Sequence, residues 1–181
     1  MRTGYALALL ALLALLPAAA RADAVDLAGS ATVGALRREV SLRVACEPKT
    51  RAVSLDLTVP GFADLEPVFD FSGLEGPSGS TAMLSEFRVV GAAGVRTARA
   101  RASGAVAAEP ATSFRLTVAP ARRGETPANG IAVALVEPGA RLVWTQASPR
   151  KDDAPLIASV TVPEAETGPL RTALTPCLSG P

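Results

Sequence analysis

The chain has 181 residues, a near-even balance of 18 basic and 17 acidic side chains, and no histidine. The missing histidine removes Ser-His-acid and Cys-His triads, histidine-ligated zinc or copper, and histidine acid–base work. A net charge of +1 offers no broad basic surface for phosphate, so nucleic acid is not an expected partner.

Residues 1–22 have the pattern of an export signal. Arg2 supplies a positive n-region, residues 6–16 an apolar run of 11 residues, and Ala20-Arg21-Ala22 a small-residue cleavage site. A spanning helix needs about 20 apolar residues, whereas Pro17 and Arg21 interrupt and close this run. Cleavage after Ala22 leaves residues 23–181, expected to fold as a single β-rich domain with no membrane span. The expected location is the periplasm or the medium. Sixteen of the 18 basic residues are arginine, a codon-bias hint of a GC-rich bacterial source.

Period-two alternation dominates the chain beyond the signal segment. "VSLRVAC" places Val40, Leu42, Val44 and Cys46 on one face and Ser41, Arg43 and Ala45 on the other. "VSLDLTV" repeats this with Val53, Leu55, Leu57 and Val59, and "TSFRLTV", "RLVWT" and "LIASVTV" continue it. Glu47-Pro48, Pro60-Gly61, Gly91, Gly94, Asn129-Gly130, Pro138-Gly139 and Ser148-Pro149 supply turn signals between them. This spacing predicts an all-β fold: an antiparallel β-sandwich, or a barrel, of about eight to ten strands. One short C-terminal helix is expected in "TGPLRTALTPC", with Pro169 in its first turn and Pro176 stopping it.

The chain has two cysteines, Cys46 and Cys177. In an exported protein such an isolated pair reads most simply as a disulfide, here tying the C-terminal helix to an early strand. An early strand running into a cysteine, "VSLRVACEPKTRAVSLDL", resembles chaperone–usher pilins. The resemblance covers that segment alone. The family's partner cysteine lies much nearer the first, and its near-terminal tyrosine has no counterpart in "CLSGP". Its function is therefore not transferred.

The most unusual run is "EPVFDFSGLEGPSGS", residues 66–80. Read as a strand, residues 68–71 put Phe69 and Phe71 on one face and turn Asp70 toward water. The functional reading is a calcium site drawn from Asp64, Glu66, Asp70 and Glu75, because calcium takes clustered oxygens from flexible loops. The spacing lacks the D-x-[DN]-x-[DN]-G pattern, so a glycine-rich turn is preferred. Gly73, Leu74, Glu75, Gly76 and Pro77 then form a candidate interaction loop. "VRTARARA" carries Arg96, Arg99 and Arg101, read as an anion strip or, more plainly, as a solvated edge. "SPRKDDAP" sets Ser148 near Lys151, Asp152 and Asp153, a Ser-Lys hydrolase fragment on one reading and an exposed hairpin loop on the other. Trp144 is read as a core anchor.

The leading functional reading is an exported, non-enzymatic binding or interaction module acting on another exported protein, with no cofactor. Two alternatives come from other classes. One is a secreted hydrolase using Asp70, Glu75 or the Asp152-Asp153 pair. The other is a structural subunit assembling by strand addition.

Overall fold

The computed structural model describes residues 23–76, 84–108, 112–118 and 127–178. The expected signal segment, residues 1–22, and Pro77 of the candidate loop lie outside these. Among the described residues nine strands form one antiparallel sheet, curled into a half-barrel, in the order β5-β4-β8-β9-β1-β2-β3-β7-β6. They are β1 (Asp23–Val33), β2 (Leu36–Glu47), β3 (Ala52–Pro60), β4 (Leu84–Gly91), β5 (Gly94–Arg101), β6 (Ser103–Val106), β7 (Ser113–Val118), β8 (Arg141–Gln146) and β9 (Leu156–Thr161).

Alternation decides which face of each strand meets the core. In β3, Val53, Leu55, Leu57 and Val59 are fully buried while Ser54, Asp56 and Thr58 are only half-buried. β1 and β2 form a long hairpin from Asp23↔Cys46 to Val33↔Leu36, turning at residues 34–35. Its inner face carries Val25, Leu27, Ala31, Val33, Val40, Leu42 and Val44. A contiguous core therefore lines the inside of the curl, and polar side chains face outward, as a half-solvated antiparallel sheet requires.

The two edge strands are neighbours in sequence. β5 and β6 stand at opposite ends of the strand order, yet only the buried Ala102 separates them. Two peptide steps span about 7 Å at most, so the sheet must curl until the end of β5 comes close to the start of β6.

Two helices cover the inner face. α1 (Pro127–Leu135) packs against β5, β4 and β3. It replaces the turn expected at Asn129-Gly130: Pro127 suits a first-turn position, and Ala128, Ile131, Ala132 and Leu135 form a buried stripe at helical spacing. α2 (Glu164–Leu178) packs against β1 and β2. At 15 residues it is longer than the short helix expected. Pro169 lies inside it rather than in its first turn, and the helix continues past Pro176 to Leu178. Each proline removes one backbone donor. Burial of Thr167, Leu170, Ala173, Leu174 and Cys177 on one face holds the helix regardless. Its last turn is bonded to the sheet through the Cys46–Cys177 disulfide, which closes a separation of 131 residues.

The connection from β3 to β4 corrects a third expectation. Residues 68–71 are not a strand but irregular chain between two 3-10 turns, Phe62–Leu65 and Ser72–Leu74. Phe69 and Phe71 are nonetheless both buried, 4.7 Å apart between ring centroids, and Phe71 packs on Phe114 of β7 at 5.0 Å. Aromatic packing, not a strand ladder, fixes this segment. Trp144 of β8 is likewise buried, with Phe87 of β4 at 4.8 Å.

Candidate functional site

Two regions gather polar side chains in an organised way. The first is where the β3–β4 connection meets the β8–β9 loop. The Ser148 hydroxyl donates to Asp153 Oδ2 at 2.8 Å and accepts the Asp70 backbone N–H at 3.0 Å. Asp70 Oδ1 accepts the Ser72 hydroxyl at 2.8 Å and the Gly73 N–H at 3.1 Å. Arg150 Nε sits 2.9 Å from both Asp153 carboxylate oxygens, while its Nη2 donates to the Glu66 carbonyl at 3.1 Å. The loops approach so closely that a Cβ on Gly73 would lie 2.7 Å from Pro149 Cβ.

This arrangement is equipped to hold two loops together, not to activate an oxygen. A serine nucleophile needs a base able to take its proton near neutral pH. The Arg150 hydrogen bond holds the Asp153 carboxyl below its ordinary range, against the opposing effect of burial, and the Ser148 hydroxyl lowers it further. Asp153 in turn raises the Arg150 guanidinium above its ordinary value. Lys151 and Asp152 are exposed. The serine already has a donor and an acceptor partner, so its hydrogen bonds are spent on the fold.

The calcium candidates are placed apart. Asp64 pairs with Arg38 at 2.9 Å, Asp70 caps the turn just described, Glu66 joins the loop contact through its carbonyl, and Glu75 forms a parallel bridge with Gly104. Among the described residues no group of three or more histidine, cysteine, aspartate or glutamate side chains converges in a way that could hold a metal. Within the candidate interaction loop Leu74 is fully buried and Gly73 is packed on Pro149. Glu75 and Gly76 remain exposed.

The second region is the wing of the sheet made by β5, β4 and β8. Its outer face carries an open groove of about 730 Å³ lined by Glu86, Arg88, Thr97, Arg99, Val143 and Thr145. The register explains the lining: Thr145, Glu86 and Arg99 stand in one cross-strand row, and Val143, Arg88 and Thr97 in the next. Arg99 and Glu86 form an ion pair, with about two-thirds and half of their side chains exposed. A third row places Val90 (40% exposed) opposite Val95 (53% exposed), an apolar pair left in water.

β5 is itself unusual. Successive side chains of a strand point to opposite faces, yet Val95, Arg96 and Thr97 are all exposed. The first half of this edge strand is thus uncovered on both faces, and only from Ala98 onward does α1 packing begin to bury it. The arginines were visible in the sequence. Their position on the end strand of the described sheet follows only from the strand order.

The chain matches no protein-family model, no curated protein and no solved structure.

Proposed function

We propose that this is an exported, non-enzymatic interaction module that binds another exported protein through the β5–β4–β8 wing. The observation that carries this reading is the exposure of Val95, Arg96 and Thr97 together on a sheet edge beside an open groove. Natural sheets usually cover, shorten or twist away such an edge, because unpaired N–H and C=O groups recruit other chains. Here Gly94 to Thr97 of the edge strand remain exposed on both faces, and Val95 among them forms an apolar pair with Val90 of β4. The Ser148–Asp153–Arg150 contact supports a binding role over a hydrolase built on Asp70 or Asp153, since the hydrogen bonds of both residues are taken up in joining the two loops.

Export is part of the proposal. The signal-like segment 1–22 motivates it, and a cross-linked chain fits an oxidising compartment. No helix among the described residues is long and apolar enough to cross a membrane.

The test is a pull-down of the purified protein against exported proteins of its own cell, beside a Val90→Asp/Val95→Asp variant. A binding module recovers a partner that the variant loses. Turnover of glycan or ester substrates with no partner recovered would reverse the reading.

A further inference from the structure

We infer that β5 accepts an extended, carboxylate-rich segment of another polypeptide as an added strand, an inference that rests on the interaction role proposed above. Three observations lead to it. The first is geometric. β5 ends the strand order and pairs only with β4 among the described residues, and its first half is open on both faces. An incoming strand can therefore lie beside it at the usual 4.7–4.9 Å without displacing a side chain from either face. Main-chain hydrogen bonds to the edge then supply affinity, and side-chain pairing supplies selectivity.

The second is charge. The β4–β5 hairpin, residues 84–101, holds Arg88, Arg96, Arg99 and Arg101 against Glu86 alone, a net of +3 in a chain whose whole balance is +1. Positive charge exceeds negative on this wing even with Glu137, whose carboxylate accepts the Ala93 N–H at the hairpin turn at 3.1 Å. Arg88 and Arg96 form no ion pair with any described residue, and Arg99 meets Glu86 only in an exposed pair. On the outer face an added strand sets its side chains next to Thr97 and Arg99, with Arg88 one strand further in. On the inner face it faces Arg96. Carboxylates at alternate positions of the partner share one face, and they find guanidinium groups whichever face that is: Arg99 and Arg88 on the outer, Arg96 on the inner.

The third observation weighs against the simplest alternative occupant. Edge-to-edge pairing of two copies would bring two arginine-rich β5 strands side by side, with no carboxylate on either. Registers that set Arg96 against Arg96 or Arg99 against Arg99 are destabilising, and the other registers still gather like charge.

The test uses the disulfide-bonded protein purified after expression of the full chain, with fluorescence anisotropy as the readout. The probe is a labelled ten-residue peptide of alternating glutamate and valine. Saturable binding is expected, weakening at least tenfold for the lysine–valine counterpart and at least tenfold for Arg96→Glu/Arg99→Glu. An Arg96→Gln variant should show a smaller loss, and near-ultraviolet circular dichroism confirms that each variant keeps its packing. Binding should also weaken as salt rises from 50 to 200 mM. A peptide with every backbone amide N-methylated keeps its charge but loses its donors on both edges, and should not bind. No saturable binding of the glutamate–valine peptide, equal binding of the lysine peptide, or retained binding of the N-methylated peptide overturns the inference. So does tighter binding of a DNA duplex, or concentration-dependent dimerisation that competes with the peptide. If the pull-down partner survives Arg96→Glu/Arg99→Glu unchanged, the interaction role stands and the acidic strand falls. If neither peptide nor partner binds, both fall.

Discussion

Ser148 binds Asp153 through its hydroxyl hydrogen at 2.8 Å and, through the same oxygen, accepts the backbone N–H of Asp70, 78 residues earlier in the chain. One small side chain thereby joins the β3–β4 connection to the β8–β9 loop. Ser148 is only 8% exposed. Ser148→Ala should leave the Asp70 N–H and an Asp153 oxygen short of a partner. The expected loss is about 1–3 kcal/mol, the usual cost of stranding a buried polar group. Urea unfolding checks this. A catalytic serine would instead leave stability nearly unchanged.

The Asp153 carboxyl is held below its ordinary range by Arg150. A group whose folded value is depressed binds protons more readily when unfolded, so its contribution is present above the ordinary carboxylate value near 3.9. That contribution disappears as pH falls through the lower folded value. Thermal melts below about pH 4 should therefore drop more steeply for the wild type than for Arg150→Gln, in which Asp153 loses the main cause of its shift. Parallel acid limbs for the two proteins would contradict this ion pair.

Gly73 and Gly130 should respond oppositely to a side chain. At Gly73 an added Cβ meets Pro149 Cβ at 2.7 Å and Asp70 Oδ2 at 2.8 Å. Gly73→Val therefore strains the loop contact and should cost about 1–3 kcal/mol. At Gly130, inside α1, a Cβ meets nothing within 4 Å. Gly130→Ala should stabilise by about 0.5–1 kcal/mol, the helix-interior difference between the two residues. A turn at Asn129-Gly130 would give a loss instead, so the sign of this shift separates helix from turn.

The Cys46–Cys177 bond closes a separation of 131 residues between β2 and the end of α2. The chain-entropy relation gives about 5 kcal/mol for so long a loop, and removals of native bonds typically cost about 2–5 kcal/mol. Cys177→Ser should lower the urea midpoint accordingly. Adding reductant should lower the wild type to match while leaving the variant unmoved.

Much of the sheet could be read from alternation, because one wet and one dry face impose period two on sequences such as "VSLDLTV". β1 was harder to see. Ala28, Gly29, Ser30 and Ala31 blur its contrast, and Gly29 is small because the strand passes too close to Val160 of β9 for any Cβ. α1 was hidden behind Asn129-Gly130, although Ala128, Ile131, Ala132 and Leu135 had the helical spacing in plain view. Phe69 and Phe71 misled differently: an i, i+2 pair fits a strand, and it fits equally well two rings dropped into one aromatic cluster from irregular chain. Ser148 and Asp70 could not be joined by any local pattern. Their contact spans 78 residues and depends on how far the sheet curls.

The β5 edge leads most directly to a decisive measurement, residue-resolved amide hydrogen exchange on the free protein. In residues 94–97 alternate amides point away from β4, and those amides should exchange at near-unprotected rates while the amides of central β1 and β2 stay protected. Uniform slow exchange along β5 in the absence of any partner would mean the edge is already occupied, and the proposed binding surface would not exist.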